Sequence, residues 1–398
     1  MKKIFYPYSW IGVSLFLLSV FSFGFHQPDT SAVQLVGVQQ LRGVDGPYVF
    51  TRKGYKEIIR VQKRKRLGGY GINRERIPVD SLPLLKVVVD NQDQDSFFVQ
   101  LRDKYITPPT HYEEPENLLA IGDIEGNFNA FYSLLINNRI MDSSYNWTYG
   151  KGHLVLVGDF VDRGHQVTEV LWLIYHLETE AAKQGGMVHY ILGNHEVMDI
   201  QGGTYYVQDK YIELAKRISG QQNHRKAMRF MMSKRSAIGA WLRSKNVIEK
   251  IGPIVFVHAG LSPALRASGL TLEQVNKIAR RNIERDLLHY PSYDEEANLV
   301  MGEHGPLWYR GLLVSNREHY PKATQEDLEK VLAFYKARYA VIGHTLVPTV
   351  TNDYYGRLFC IDIKQPHQKN TGKAQALMLE EGMFYRVNDF GIRGNFSK

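Results

Sequence analysis

Gly158-Asp159-Phe160-Val161-Asp162-Arg163-Gly164 and Gly193-Asn194-His195-Glu196 are the two stretches that decide the fold. Each follows a short apolar run, Leu154-Val155-Leu156-Val157 in the first case and His189-Tyr190-Ile191-Leu192 in the second. Short runs rich in branched residues and bounded by glycine predict buried strands. Loops from neighbouring strands converge beyond the strand ends of a helix-flanked sheet, so we expect both stretches at one site.

Three further apolar runs end in polar residues in the same way. Leu118-Leu119-Ala120-Ile121 runs into Gly122-Asp123-Ile124-Glu125-Gly126, Ile254-Val255-Phe256-Val257 into His258-Ala259-Gly260, and Ala340-Val341-Ile342 into Gly343-His344-Thr345. Apolar residues at helical spacing predict helices after Asn127 and after Gly164. This alternation of strand, polar loop and helix is typical of an α/β protein.

The polar residues at these strand ends suit a centre of two divalent metal ions. Two ions about 3.5–4 Å apart can share a carboxylate and clamp a phosphate between them. Asp159 is the expected bridge, because a carboxylate has two oxygens to share. Asp123 and Glu125 lie two residues apart in a tight loop and are expected on the first ion. The expected ligands of the second ion are Asn194, His258 and His344.

Neighbouring residues are expected to act on the phosphate itself. His195 follows a predicted ligand and is free to protonate the leaving oxygen, which an imidazole near an acidic partner does at neutral pH. Asp162 is the expected partner of that imidazole. Arg163 offers a planar fork for two phosphate oxygens. Glu196 is expected to support its loop rather than to act in catalysis.

In these motifs and their order, the chain resembles the calcineurin-like metallophosphoesterases, and within them the phosphoprotein phosphatase branch. The segment Val161-Asp162-Arg163-Gly164 favours that branch over the wider group. The resemblance covers roughly residues 117 to 387 and implies a four-layer αββα sandwich. It implies metal ligands at Asp123, Asp159, Asn194, His258 and His344, a proton donor at His195 with Asp162 as partner, and a phosphate-binding arginine at Arg163.

A looser resemblance lies further along the chain. Trp308-Tyr309-Arg310-Gly311 resembles a segment of the bacterial Shewanella-like phosphatases. It implies that Arg310 is a second arginine at the phosphate, and a structural salt bridge is the alternative. Because family members usually carry manganese, iron or zinc, two divalent ions are the expected cofactors. Mn²⁺ is the expected metal, with Fe and Zn as alternatives.

One residue departs from the family pattern. The first motif of the family reads Gly-Asp-x-His-Gly, and Glu125 stands where the histidine would be. Its carboxylate oxygens and the histidine Nε2 lie the same number of bonds from Cα, so we expect Glu125 to coordinate in its place. Such a site would favour Mn²⁺ or Mg²⁺ over softer ions. Alternatively, Glu125 does not coordinate and the first ion binds weakly or is lost.

The predicted function is that of a metal-dependent phosphatase that hydrolyses phosphomonoesters through direct attack of a metal-bound hydroxide. Phosphotyrosine or phosphoserine/threonine in proteins is the expected substrate, and small phosphoesters are alternative partners. Hydrolysis of nucleotide or dinucleotide polyphosphates is a second enzymatic hypothesis, because the same core serves both. The third hypothesis is a non-catalytic binding module in which Glu125 marks a decaying site.

The chain of 398 residues has room for segments beyond this core. Residues 1–25 are typical of an export signal, because Lys2 and Lys3 precede an apolar stretch and small residues. We therefore expect a periplasmic or secreted protein, with an uncleaved N-terminal membrane anchor as the alternative. Residues 26–115 are expected to form an accessory β-rich extension. Residues 116–398 would be the phosphoesterase domain, with a helical insertion at about 203–250.

Charge and cysteine content limit the partners and the chemistry. Part of the net charge of +8 is concentrated between Arg52 and Arg76. We interpret this stretch as a solvated strand face or basic loop, with docking of nucleic acid, anionic lipid or an acidic partner as the alternative. It carries no RNA-binding signature, so nucleic acid is not expected as a partner. The single cysteine, Cys360, excludes an internal disulfide and is expected in the core.

Overall fold

The computed structural model of the protein describes residues 41–64, 68–315 and 320–396. The predicted export signal at 1–25 lies outside these residues. The described residues belong to one compact unit, so the described part of the predicted extension, from residue 41, and the described part of the predicted phosphoesterase domain lie in the same body. The boundary between residues 115 and 116 stays a prediction. Within the described ranges, no helix has both the length and the apolar character needed to cross a bilayer.

Strands and helices alternate between Asn117 and Ile200, and the described chain begins and ends with consecutive strands. The strands are β1 (Asp45–Arg52), β2 (Tyr55–Lys63), β3 (Tyr70–Pro78), β4 (Leu84–Val88), β5 (Ser96–Gln100), β6 (His111–Tyr112), β7 (Asn117–Ile121), β8 (His153–Leu156), β9 (Met187–Tyr190), β10 (Ile248–Ile251), β11 (Ile254–Val257), β12 (Tyr339–Ile342), β13 (Thr351–Asp353), β14 (Leu358–Cys360), β15 (Gln375–Glu380), β16 (Met383–Asn388) and β17 (Arg393–Asn395). The helices are α1 (Phe128–Asn137), α2 (Val167–Lys183), α3 (Asn194–Ile200), α4 (Asp209–Ser219), α5 (His224–Met231), α6 (Ala237–Leu242), α7 (Pro263–Ala267), α8 (Leu272–Asn282), α9 (Glu295–Met301) and α10 (Gln325–Phe334).

Two six-stranded sheets form the centre of the molecule. The first has the order β17-β16-β15-β7-β8-β9, and the second has the order β13-β14-β12-β11-β10-β6. Strands β7, β8 and β9 run parallel, as do β11, β12 and β14. The carboxyl ends of parallel neighbours lie at one edge of a sheet, and this brings the predicted ligand loops together.

Alternate side chains of each strand pack on opposite faces of its sheet. Leu118 and Ala120 of β7 point inward and share a buried cluster with Phe256 of β11. Leu119 and Ile121 point outward and pack in a second cluster with buried residues of α1 and α2. The outward residues of β11 and β12 pack in the same way with α8 and α10. The predicted α/β sandwich of two sheets between helices is confirmed.

The strands of the predicted extension pack directly on the core. Antiparallel strands β1, β2 and β3 form one small sheet, and β4 and β5 form a ribbon. Phe50 of β1 is fully buried, and its ring lies 5.0 Å from the ring of Phe230 in α5. The indole nitrogen of Trp172 in α2 donates to Pro47 O at 2.8 Å. Strand β6 pairs with β10 and so belongs to the second core sheet.

Helices α4, α5 and α6 lie in the predicted helical insertion. The hydroxyl of Tyr211 in α4 accepts a hydrogen bond from Val167 N and donates one to His165 O, both at 2.8 Å. Gln208 Nε2 donates to Arg163 O at 2.5 Å, and Arg163 N donates to Tyr206 O at 3.0 Å. The insertion therefore holds the backbone of a predicted phosphate-binding residue.

Candidate metal centre and active site

Four of the five strand-end segments line one cavity of about 400 Å³, and His258 of the fifth segment contacts Asp159 at its edge. Backbone hydrogen bonds join neighbouring loops, because Glu125 N donates to Asp159 O at 2.9 Å and Gly343 N donates to His258 O at 2.8 Å. The cavity is lined by Asp123, Glu125, Asp159, Arg163, His195, Arg310, His344, Leu346, Asp362, Ile363 and Lys364. Of these residues, Asp362 is an acidic residue that the sequence analysis did not assign to the site.

The motif glycines allow the loops to approach each other closely. A Cβ at Gly158 would lie 2.5 Å from Gly193 N, and a Cβ at Gly193 would lie 2.6 Å from Asp159 N. Gly158 also has φ +84°, a conformation that costs glycine little and other residues more. Asp159 and Arg163 have φ values of +57° and +53° although they carry side chains. Such left-handed residues concentrate at functional sites, where surrounding contacts hold them.

The residues predicted to bind the second ion lie together on one side of the cavity. His258 Nε2 lies 2.9 Å from Asn194 Oδ1, 3.2 Å from Asp159 Oδ2 and 3.2 Å from His344 Nδ1. His258 Nδ1 donates to Val157 O at 2.8 Å, so Nε2 is left with its lone pair facing the other three atoms. Asp159, His258 and His344 each offer a ligand atom within 4.8 Å of the others.

This set fits a divalent cation. His344 Nε2 is buried and has no hydrogen-bond partner among the described residues. Burial holds the pKa of His344 well below its usual range, so this imidazole is neutral as a metal ligand must be. One carboxylate, one amide oxygen and two imidazoles are ligand types that Mn²⁺, Fe²⁺ and Zn²⁺ accept.

The other side of the cavity is acidic. Asp123 accepts a hydrogen bond from His344 N at 3.2 Å. Burial raises the pKa of Asp123, and so do the negative charges of Asp362, Asp159 and Glu125. Burial and the charge of Glu125 likewise raise the pKa of Asp362 to about 7. Four carboxylates therefore crowd this side, and a cation would relieve their repulsion.

Glu125 is brought to the cavity, and its carboxylate forms an ion pair with Arg163. The guanidinium of Arg163 also lies 4.7 Å from the centre of the Tyr206 ring. Arg310 Nη1 donates to His344 O at 2.6 Å and to Thr345 Oγ1 at 3.1 Å, so its guanidinium is held by the loop after β12. Both predicted phosphate-binding arginines therefore line the same cavity.

His195 and Asp162 are in direct contact. His195 Nδ1 lies 2.6 Å from Asp162 Oδ2, and His195 Nε2 lies 3.7 Å from Asp159 Oδ2. Burial opposes protonation of the imidazole, but the charges of Asp159 and Asp162 outweigh burial and raise the pKa of His195. The ring therefore carries a proton more readily than a free histidine and directs Nε2 towards the predicted bridging carboxylate.

Glu196 supports the two central loops, as expected from the sequence. Its fully buried carboxylate accepts hydrogen bonds from Asp159 N at 3.0 Å, Phe160 N at 2.8 Å and Gly193 N at 2.7 Å. The hydroxyl of Tyr190 donates a fourth hydrogen bond at 2.9 Å. This one side chain therefore fixes the backbone that carries Asp159 and the backbone that begins α3.

A double-sheet sandwich with carboxylates, imidazoles and an amide at its strand ends, beside two arginines, defines the class of metal-dependent phosphoesterases. The model of the calcineurin-like phosphoesterase family matches residues 117–348, and the chain belongs to this family. It is therefore a phosphoric ester hydrolase. The family implies divalent metal ions, which agrees with the donor set at Asp159, His258 and His344.

Similar proteins support the same assignment. Shewanella-like protein phosphatase 1 of Plasmodium berghei (strain Anka) is 28% identical over 253 residues, which are 62% of this chain and 67% of that protein. Shewanella-like protein phosphatase 2 of Arabidopsis thaliana is 38% identical over 104 residues, only 26% of this chain and 27% of that protein. The crystal structure of the cold-active protein-tyrosine phosphatase of a psychrophilic Shewanella species has a TM-score of 0.75 and 29% identity, and it covers 89% of this chain and 100% of that chain. The predicted resemblance is confirmed, and the chain is a metal-dependent phosphatase.

Proposed function

We propose that the protein is a dinuclear-metal phosphatase for phosphomonoesters and that phosphotyrosine in proteins is its preferred substrate. The observation that carries the proposal is the contact between His195 and Asp162, which presents an imidazole Nε2 to the cavity of the ligand residues. The similar structure from Shewanella, a protein-tyrosine phosphatase by its description, supports the substrate class. Phosphoserine and phosphothreonine are the weaker candidates.

Two positions in the cavity would hold the ions. Asp159, Asn194, His258 and His344 would hold one ion, and Asp159 and Asp123 with a further carboxylate would hold the other. When bound, two such ions make a nucleophile available from water at neutral pH and neutralise the phosphate. The excess of carboxylates on the Asp123 side supports Mn²⁺ as the metal of that position.

The arginines of the cavity would bind and orient the phosphate. Arg163 is held between the Tyr206 ring and the carboxylate of Glu125, and Arg310 is held by His344 O. Guanidinium groups fixed in this way can donate to phosphate oxygens without reorganising during the reaction. Removal of either arginine would therefore weaken the stabilisation of the negative charge that develops on the phosphate oxygens.

His195 would protonate the leaving oxygen. Its Nδ1–H stays on Asp162 Oδ2, and the proton on Nε2 passes to the ester oxygen as the bond to phosphorus breaks. Because Asp159 and Asp162 raise the pKa of His195, a protonated ring is available near neutral pH. The side chain of Asp162 stabilises the charged form of the ring before transfer.

The surroundings of the cavity suit an aromatic leaving group in a polypeptide. The ring of Tyr206 lies beside that of His195 with 4.7 Å between ring centres, and the neighbouring Tyr205 is 85% exposed. Next to α3 lies a groove of about 340 Å³ whose lining includes Met198 and Trp308. Exposed aromatic rings offer an incoming phenyl ring edge and face contacts at small entropic cost.

Steady-state kinetics with Mn²⁺ test this proposal. A phosphotyrosyl peptide, the matched phosphoseryl peptide and a dinucleotide tetraphosphate are compared at equal metal content. We expect kcat/KM for the phosphotyrosyl peptide to exceed both others at least about tenfold, or about 1.4 kcal/mol in transition-state binding. A higher kcat/KM for the dinucleotide would favour the polyphosphate hypothesis, and no hydrolysis of any substrate would leave only a binding module.

We also propose that the enzyme acts in the periplasm or outside the cell. Lys2 and Lys3 before an apolar stretch support export. Mass spectrometry of the protein from cell fractions should find a new N-terminus close to residue 25 in the periplasmic or culture fraction. An intact Met1 N-terminus found in the cytosolic fraction alone would contradict export, and one in the membrane fraction would indicate an uncleaved anchor.

A further inference from the structure

Asp362 lines the same cavity as Asp123, a predicted ligand of the first ion. It follows β14 by two residues, and it is only 7% exposed although its side chain is a carboxylate. Within the described ranges, no group donates a hydrogen bond to that carboxylate, while the backbone oxygen of Asp362 accepts from Val347 N. A buried carboxylate without a donor is costly unless a cation or a proton compensates it.

The backbone brings Asp362 beside Asp123. A Cβ at Gly122 would lie 2.6 Å from Ile361 O, so the residues immediately before the two acids are in contact. Both acids line the central cavity with Asp159. Three carboxylates of three different loops therefore surround one volume.

Glu125, by contrast, already has a partner. Its carboxylate forms an ion pair with Arg163 and is more exposed than that of Asp362. Arg163 is in turn fixed over Tyr206 and bonded through its backbone to the insertion. Movement of Glu125 onto a metal ion would leave this arginine without its carboxylate.

We propose that Asp362, with Asp123 and Asp159, supplies the ligands of the first ion, and that Glu125 serves as the carboxylate partner of Arg163. The site then presents only oxygen donors and takes a hard divalent cation such as Mn²⁺. This inference rests on the proposed dinuclear centre and changes one of its ligands. It also explains how a chain without the histidine of the first motif keeps a first-ion position.

Metal titration of the chelator-treated full chain tests the assignment. MnCl₂ is added while calorimetry gives stoichiometry and affinity and electron paramagnetic resonance reports coupled ion pairs. Wild type should bind two ions with a coupled spectrum. Asp362→Asn should bind one ion tightly and lose the coupled spectrum. It should bind the other ion roughly 10- to 100-fold more weakly or worse, because even the loss of a residue that only supports a ligand changes metal affinity that much. Glu125→Gln should keep two ions and the coupled spectrum.

Two controls separate a ligand from a structural residue. Asp286→Asn removes a carboxylate outside the cavity and should leave both ions bound. Without metal, Asp362→Asn should unfold at the same temperature as wild type or higher, because it removes a repelling charge, whereas its stabilisation by Mn²⁺ should shrink. A melting temperature clearly below wild type without metal would indicate a structural role and overturn the assignment.

The results distinguish this inference from the function it rests on. If wild type and Asp362→Asn both bind two ions with equal affinity, Asp362 is not a ligand, while the dinuclear centre stands. If Glu125→Gln loses an ion and Asp362→Asn does not, Glu125 is the ligand. If wild type itself binds fewer than two ions, the dinuclear centre fails.

Discussion

Asp162→Asn is expected to slow hydrolysis without displacing the metal ions. Asp162 Oδ2 contacts His195 Nδ1 at 2.6 Å, and Oδ1 has no partner among the described residues, so one hydrogen bond carries the interaction with the ring. A hydrogen bond to a charged partner contributes about 1.5–3 kcal/mol. Since about 1.4 kcal/mol corresponds to tenfold in rate, kcat should fall roughly 10- to 150-fold.

The pH dependence and the leaving group give a second readout. Asp162 is one of two carboxylates that raise the pKa of His195, so the variant lowers that pKa. Activity that requires the protonated ring is lost as pH rises through its pKa, and the alkaline limb of kcat should therefore move to lower pH. The loss should be greater for phenyl phosphate than for p-nitrophenyl phosphate, whose leaving oxygen is a weaker base and needs a proton less.

A matched control uses another buried acid. Burial, together with the charge of Asp162, raises the pKa of Asp199 well above its usual range, which favours the neutral acid, and Asp199→Asn is close to isosteric. Its kcat should stay within about threefold of wild type, a difference of under about 1 kcal/mol. If Asp162→Asn keeps wild-type kcat on phenyl phosphate with both metals bound, the proton-donor assignment of His195 is refuted.

Four further outcomes are expected. Glu196→Ala leaves four donors unpaired at about 1–3 kcal/mol each, so denaturant titration should show a loss of at least about 3 kcal/mol in the free energy of unfolding; a loss below about 1 kcal/mol would contradict this support role. Gly158→Ala places a Cβ 2.5 Å from Gly193 N and should lower both thermal stability and metal content, and wild-type values of both would argue against the close approach. Arg163→Lys keeps the charge but loses the fork, so kcat/KM should fall about 10-fold or more while metal content is unchanged; equal kcat/KM would exclude bidentate phosphate binding. Chelation should abolish activity and lower the melting temperature. Mn²⁺ at 100 times its Kd should then restore about 2.7 kcal/mol in the free energy of unfolding. Activity that persists without metal would contradict this expectation.

Much of this candidate site could be predicted from the polar residues that follow apolar runs in the sequence. Asp123, Asp159 and His258 each follow an apolar run, and the strands bring Asp123 and Asp159 to one cavity and His258 to within 3.2 Å of Asp159. This worked because local apolar patterning specifies strands, and parallel pairing then aligns their carboxyl ends. The same signal precedes Asp362, which follows Leu358-Phe359-Cys360-Ile361. It was missed because no glycine separates that run from the acid.

Other features depend on contacts that are distant in sequence. The ion pair of Glu125 and Arg163 requires both residues in the left-handed conformation, which intrinsic preference does not predict for either residue type. Likewise, β structure was predicted before residue 115, but its packing was not. The contact of Phe50 with Phe230 depends on which surfaces the folded core leaves open.

The packing of the N-terminal strands changes what counts as the smallest working unit of this enzyme. Lys210 of α4 lies 3.0 Å from Asp45 of β1, and Thr51 N donates to Arg235 O at 2.8 Å. These contacts hold α4 against the N-terminal strands. Gln208, the residue before α4, donates a hydrogen bond to Arg163 O. Arg163, the proposed phosphate-binding arginine, is thus only a few contacts from strands that the family segment at 117–348 does not include. Excision or domain exchange that follows the family boundaries would cut through the support of the active site.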